Sequence, residues 1–257
     1  MTEHVKTDLD AGILTITFAR PDKKNALTNA MYGALADALE RAETDPAIRV
    51  VLFQGDGDSF TAGNDLGDFS AQAQGKQEGE RHVFRFLKAL AKATRPLVAA
   101  VQGNAVGVGT TMLLHCDLVY VADTARLMTP FVNLALVPEA ASSLLLPARV
   151  GHARAYAMFA LGEPVDGATA AAIGLANAVV PAAELRAKAR AAALALTKRP
   201  LGALAHTKAL MRGVEAISAQ MDRESAIFQE RLKSAEAREA FAAFAERRQP
   251  DFSRITG

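Results

Sequence analysis

The chain has no tryptophan, a single cysteine and almost no excess of either charge, and each shortage excludes something. Cys116 has no second cysteine to pair with, which removes the small secreted scaffolds held by disulfides. Lys and Arg total 29 against 28 Asp and Glu, so the net charge of +1 provides no global field for nucleic acid or an anionic membrane. An anion bound by this chain must be met locally. No apolar run reaches the length of a bilayer span, and the opening MTEHVKTDLD lacks the charged start and apolar stretch of an export signal. The ending SRITG is not a peroxisomal address, so the expectation is a soluble cytoplasmic protein. The five histidines, at 4, 82, 115, 152 and 206, show no paired ligand spacing. The stretch GDGDSF lacks the later ligands of a calcium loop, and no metal or separate cofactor is expected.

What remains is a chain of 257 residues, half of them apolar, which is enough for one sizeable core. HVKTDL and ILTITFA, separated by DAG, predict a hairpin of half-buried strands. Thr28 caps a predicted helix in which Met31, Leu35, Leu39 and Ala42 recur at helical spacing, and the strand RVVLFQG follows. Residues 56–79 are rich in Gly, Ser, Asp and Gln and read as a long loop around a short strand at SFTA. A helix near 81–94 should carry Phe84, Leu87 and Leu90 inward. Strands are expected at PLVAAVQG, LVYVAD and RLMTPF, and Ala-rich helices from residue 140 nearly to the end. A boundary is placed near residue 198, giving a core of 1–198 and a helical region of 199–257. In the latter, Leu204, Leu210, Met211, Ile217, Met221, Phe228, Leu232, Phe241 and Phe244 are candidate buried positions.

Two segments carry possible chemistry. GNAVGVGTT lacks the third glycine of a dinucleotide fingerprint, but it opens a helix whose first N–H groups are unpaired. Small residues there let a ligand oxygen approach the N–H of Val108 or Gly109, where a developing oxyanion can be held. In VNLALVPEAASSLLLP, Glu139 is the lone carboxylate of an apolar run. Two readings stand for it: a first-turn acid favoured by the helix dipole, or a base made more basic by desolvation. His115, beside Cys116 in an apolar helix, reads as a core residue.

Taken in order, ALTNAMY, SFTAGNDLGDF, AVQGNAVGVGTTMLLHCDLVYVAD and TPFVNLALVPEAASSLLLPARVG resemble the crotonase, or enoyl-CoA hydratase/isomerase, superfamily. The resemblance runs from about residue 4 to the end. It implies an α/β fold, a spiral of ββα units with a C-terminal helical trimerisation region, and an acyl-CoA thioester substrate. The homo-oligomer would be a trimer or hexamer. By position it assigns the backbone N–H groups of Asn64 and Val108 to an oxyanion hole. Lys24, Ala26, Ala62, Gly63, Asp65, Leu66 and Gly107 would line the substrate and its CoA. Hydratases of the superfamily carry two glutamates, and at those positions this chain has Thr111 and Phe131, neither able to take a proton. Glu139 falls where double-bond isomerases of the superfamily carry their acid. The resemblance therefore implies conversion of 3-enoyl-CoA to trans-2-enoyl-CoA in fatty-acid oxidation through a dienolate, with Glu139 catalytic. The alternatives it leaves are 2-enoyl-CoA hydratase activity and a catalytically silent acyl-CoA binder; hydrolase, decarboxylase and dehalogenase chemistry also occur in the superfamily.

Overall fold

The structure is a computed structural model that describes residues 2–65, 67–68, 79–253 and 255. Its larger sheet has six strands in the order β1-β2-β3-β4-β6-β9: β1 Val5–Asp10, β2 Ile13–Phe18, β3 Val50–Gly55, β4 Leu97–Val101, β6 Leu118–Ala122 and β9 Ala178–Val180. Only the β1–β2 hairpin is antiparallel; the remaining pairs are parallel. A smaller sheet joins β5 Asn104–Val106, β7 Arg126–Met128 and β8 Val165–Asp166.

The inner strands read as continuous apolar runs because both faces of the larger sheet are covered. Ile13, Val50, Leu52, Val98 and Ala100 face the helix Leu185–Thr197, which packs through Leu185, Ala189 and Ala193, one turn apart. The alternate residues Leu14, Ile16, Val51, Phe53, Ala99 and Val101 enter the main core against α1, Asn29–Thr44, and α2, His82–Lys92. Thr28 caps α1 by accepting the N–H of Met31 at 3.3 Å. In α2 the fully buried aromatic is Phe86, not Phe84, which is half-buried and borders a cavity.

Two short strands, β8 and β9, lie in LGEPVDG and GLANAVVP, within the stretch expected to hold Ala-rich helices. Along the C-terminal helices, Ile217 and Met221 join the main core, and Leu232 packs with Phe131 and Leu136. Three of the expected buried positions are instead exposed in the single chain: Leu210 at 90%, Met211 at 80% and Phe244 at 59%. The last helix turns Ala237, Ala240 and Ala243 inward, so small residues set its packing distance. Among the described residues no helix is long and apolar enough to cross a membrane, and no group of three or more His, Cys, Asp or Glu is placed to hold a metal ion.

Candidate active site

Three segments far apart in sequence are stitched side by side. The loop after β2 turns on Asn25, fully buried, whose amide donates to the carbonyls of Asp56 and Ser59 at 2.8 Å each and accepts the N–H of Arg20 at 2.8 Å. Ala62 donates to the Lys24 carbonyl at 2.9 Å, and Leu27 to the Gly63 carbonyl at 2.8 Å. Arg20 fastens the far side through Asp65, at 2.6 Å, and the Ala26 carbonyl, at 3.1 Å. Burial pulls the Asp65 carboxyl upward, but Arg20, by hydrogen bond and charge, together with the N–H groups of Asp68 and Gly67 holds it below the usual range.

The segment 61–65 also runs along β5. Thr61 donates to the Asn104 carbonyl at 3.0 Å and accepts the N–H of Val106 at 3.0 Å. This closeness demands glycine: a Cβ on Gly63, at φ +86°, would stand 2.8 Å from the Val106 carbonyl oxygen, and one on Gly109 2.6 Å from Thr61 Cγ2. Among the described residues, the N–H groups of Asn64 and Val108 are left over by this stitching. In the parallel bridge between Leu27 and Asn64 it is Asp65 that donates to the Leu27 carbonyl, so the Asn64 N–H points the other way. Val108 begins the short helix α3, Val108–Thr111, where Thr110 and Thr111 already fill the Gly107 carbonyl. The Asn64 side chain is tied separately, its Oδ1 accepting the Tyr32 hydroxyl proton at 2.5 Å.

A cavity of about 380 Å³ lies beside Asn64 and Asp65. Its apolar wall comes from Leu27, Tyr32, Val83, Phe84, Leu87, Met221 and Phe228, while Asp65, Asp68, Arg81, Lys88 and Asp222 add charge. Glu139 also lines it, half-buried by surface because one side opens to the cavity. Burial of its carboxyl raises the pKa from 4.5 to about 7, against the hydrogen bond from Thr111 Oγ1 at 2.5 Å, with the charge of Glu224 adding to the rise. Burial likewise lifts the Tyr32 hydroxyl well above 10, and the nearby Glu139 charge pushes it further.

Glu139 precedes α4, Ser142–Val150, but its side chain does not cap that helix. Glu139 lies two residues before the N-cap Ala141, outside the first turn of that helix. Ala140 and Ala141 both adopt left-handed backbone, at φ 62° and 54°, a conformation that costs a non-glycine residue about 1–2 kcal/mol. Two N–H groups at the start of α4 are met from another helix, Glu224 accepting from Ala141 at 2.6 Å and Ser143 at 2.9 Å, and that of Ser142 is met by the Glu139 carbonyl at 3.0 Å.

The expected residues thus divide. Glu139, Asn64 and Asp65 border one cavity; Gly63, Gly107 and Val108 lie in the stitched loops behind it; Lys24 is exposed, while Ala26 and Ala62 are half-buried. Leu66, and residues 69–78 of the long loop expected at 56–79, lie outside the described residues. Phe131 is buried among Leu136, Leu232 and Phe159. His115 is a buried, hydrogen-bonded core residue, as its apolar setting predicted. Tyr32, Asn25 and Glu224 were not singled out from the sequence; the placement of Tyr32 before GNDL in an apolar helix looks like ordinary core.

The family profile described as Enoyl-CoA hydratase/isomerase matches residues 8–254, and the chain belongs to that family of enzymes. It is 44% identical to the crystal structure of an enoyl-CoA hydratase/isomerase from Pseudoalteromonas atlantica T6c, covering 97% of this chain and 100% of the other with a TM-score of 0.93. It is 34% identical to enoyl-CoA delta isomerase 2 of Rattus norvegicus, over 93% of this chain and 62% of that longer protein. At the same 34% it resembles a probable enoyl-CoA hydratase of Rhodobacter capsulatus, over 97% of each chain. Equal identity to proteins named for different reactions leaves the choice of reaction to the residues at the site.

Proposed function

We propose that this enzyme isomerises 3-enoyl-CoA thioesters to trans-2-enoyl-CoA, with Glu139 as the proton carrier. The observation that supports it is a cavity-lining carboxyl, Glu139, with a pKa raised to about 7; by the resemblance, Thr111 and Phe131 stand at the positions of the two hydratase acids, and neither can take a proton. The thioester oxygen is held by the N–H groups of Asn64 and Val108. Glu139 removes a proton from C2; the electron pair forms a C1–C2 double bond as the carbonyl pair moves onto the thioester oxygen, and conjugation with the C3–C4 double bond makes this a dienolate that carries charge at C4. Return of the same proton to C4 restores the carbonyl and leaves the double bond between C2 and C3. Donors aimed at the growing oxyanion strengthen as charge develops, each supplying about 3 kcal/mol in comparable sites. Lys24, Ala26, Ala62, Gly63, Asp65, Leu66 and Gly107 would flank the CoA portion, and the apolar wall would take the acyl chain. A trimer or hexamer would cover the apolar side chains of Leu210, Met211 and Phe244.

Hydration asks one group to activate water and another to help deliver a proton. One carboxyl of raised pKa suits the allylic shift better. The test is trans-3-hexenoyl-CoA with purified protein and no added hydratase, followed by formation of the conjugated thioester, alongside hydration of crotonyl-CoA. Clear isomerisation with weak or absent hydration is expected; the reverse ratio sinks the reading. The pH profile gives a second expectation. Only ionised Glu139 can take the C2 proton, so kcat should fall tenfold per pH unit as pH drops below the bound enzyme's value, near the free carboxyl's value of about 7. A profile flat down to pH ~5 would mean that the base is an ordinary exposed carboxylate or another group.

A further inference from the structure

The buried acid that the proposed reaction leaves unused is Glu224, on α9, Val214–Leu232. Its carboxylate is surrounded by donors from the turn that follows Glu139. Besides the N–H groups of Ala141 and Ser143, it accepts the Ser143 hydroxyl. Gln220 Nε2 donates to that same hydroxyl oxygen at 2.8 Å, so the Ser143 proton is left to point at Glu224. The opposite side of the turn is held as well. His115 donates from Nε2 to the Ala140 carbonyl at 2.8 Å, and its Nδ1 accepts from Arg212 Nη2 at 2.8 Å, which fixes the tautomer. Burial, together with the Arg212 charge, keeps that imidazole neutral, with a pKa near 3.

Two consecutive alanines in left-handed backbone do not hold themselves. Ala141, at the N-cap of α4, has no side-chain acceptor, so the cap has to come from elsewhere. Glu224 supplies it from 81 to 83 residues away. The same helix supplies Met221 and Phe228 to the cavity wall.

We infer that Glu224 is a positioning residue for Glu139: by capping α4 it locks the 140–141 turn and so aims the Glu139 carboxyl at Thr111 and the cavity. The inference rests on the reading of Glu139 as the base. When ionised, Glu224 also acts on that carboxyl as a like charge, which favours its protonated form, while burial raises the pKa of Glu224 itself against its hydrogen bonds from Ser143 and Ala141. The other titratable groups around it are Tyr32 from α1, His115 through Ala140, and Asp65, Asp68, Arg81, Lys88 and Asp222 at the cavity.

The test is Glu224→Gln, assayed on trans-3-hexenoyl-CoA beside wild type and Glu139→Gln. Glutamine keeps the length but sets an NH₂ against backbone N–H donors and removes the charge. A displacement of the reacting group of about 1 Å costs on the order of 10²-fold in rate, so kcat should fall roughly 10- to 100-fold with KM within about twofold. The acid limb of kcat should also move to lower pH. Ser143→Ala, which keeps the Glu224 charge and most of the fold, should lower kcat by roughly threefold or more and leave the acid limb in place. A Glu224→Gln protein of reduced melting temperature but wild-type kcat and acid limb would reduce Glu224 to a structural cap and overturn the inference. So would an unchanged kcat in Ser143→Ala, should Glu224→Gln fail to fold. Near-normal turnover in Glu139→Gln is a separate failure, that of the base assignment itself.

Discussion

A glutamine at position 139 should give a protein that turns over 3-enoyl-CoA about 10³- to 10⁴-fold more slowly than wild type and yet unfolds less readily at alkaline pH. The amide can still accept the Thr111 hydroxyl, which now donates to Glu139 at 2.5 Å, so the cavity keeps its shape. It cannot take a proton from C2. The stability gain follows from the carboxyl's raised pKa. Between 4.5 and about 7 the native carboxyl retains a proton that the unfolded chain gives up, so wild-type stability falls as pH rises through that window. Above it the loss is complete, at most about 3.5 kcal/mol at 1.4 kcal/mol per unit and less for a half-buried, partly solvated group; below 4.5 both forms are protonated and the loss vanishes. Glutamine carries no such loss. Urea unfolding of both proteins at pH ~8 and pH ~4 should therefore separate them only at the higher pH. Equal stability at both values would show a well-solvated carboxyl, and the case for a desolvated base would go with it.

The parts of this fold that could be read from sequence are those whose signal is local. Thr28 and the Met31, Leu35, Leu39 spacing define α1 because cap and buried face fall within a few turns. β8 and β9, of two and three residues, are too short to show any alternation, and they exist because β7 and β6 offer them an edge. Phe84 and Phe86 are indistinguishable in a helical pattern until the cavity decides which one faces it. Leu210, Met211 and Phe244 look like core residues because apolarity says that a side chain seeks cover, not which surface supplies it. The site shows the same divide. Glu139 and the two glycine loops stand out as motifs, whereas Tyr32 meets Asn64 across 32 residues and Glu224 meets Ala141 across 83. No spacing rule reaches that far, so only the folded chain brings them together.

Gly63→Ala should be nearly as damaging as loss of the carboxyl, although it removes no functional group. The added methyl would lie 2.8 Å from the Val106 carbonyl oxygen and 3.4 Å from its carbon, on a backbone at φ +86° that alanine resists. Both neighbours are main chain, so no rotamer change makes room; the segments 61–65 and 104–108 have to part. The two N–H groups proposed to hold the enolate lie one residue beyond Gly63 and two beyond Val106, so parting the segments widens the gap that the oxygen must bridge. Removing one such donor costs about 10²- to 10³-fold in kcat, and a loss of roughly 10³-fold is expected when both are displaced. The comparison is Gly202→Ala, on the helix Leu201–Met211, where the methyl meets nothing within 4 Å. That change should leave kcat untouched and add about 0.5–1 kcal/mol of stability through helix propensity. A folded Gly63→Ala enzyme with wild-type kcat would show that the spacing of these loops does not govern the chemistry. The reaction would then have to draw its oxyanion stabilisation from groups other than Asn64 and Val108.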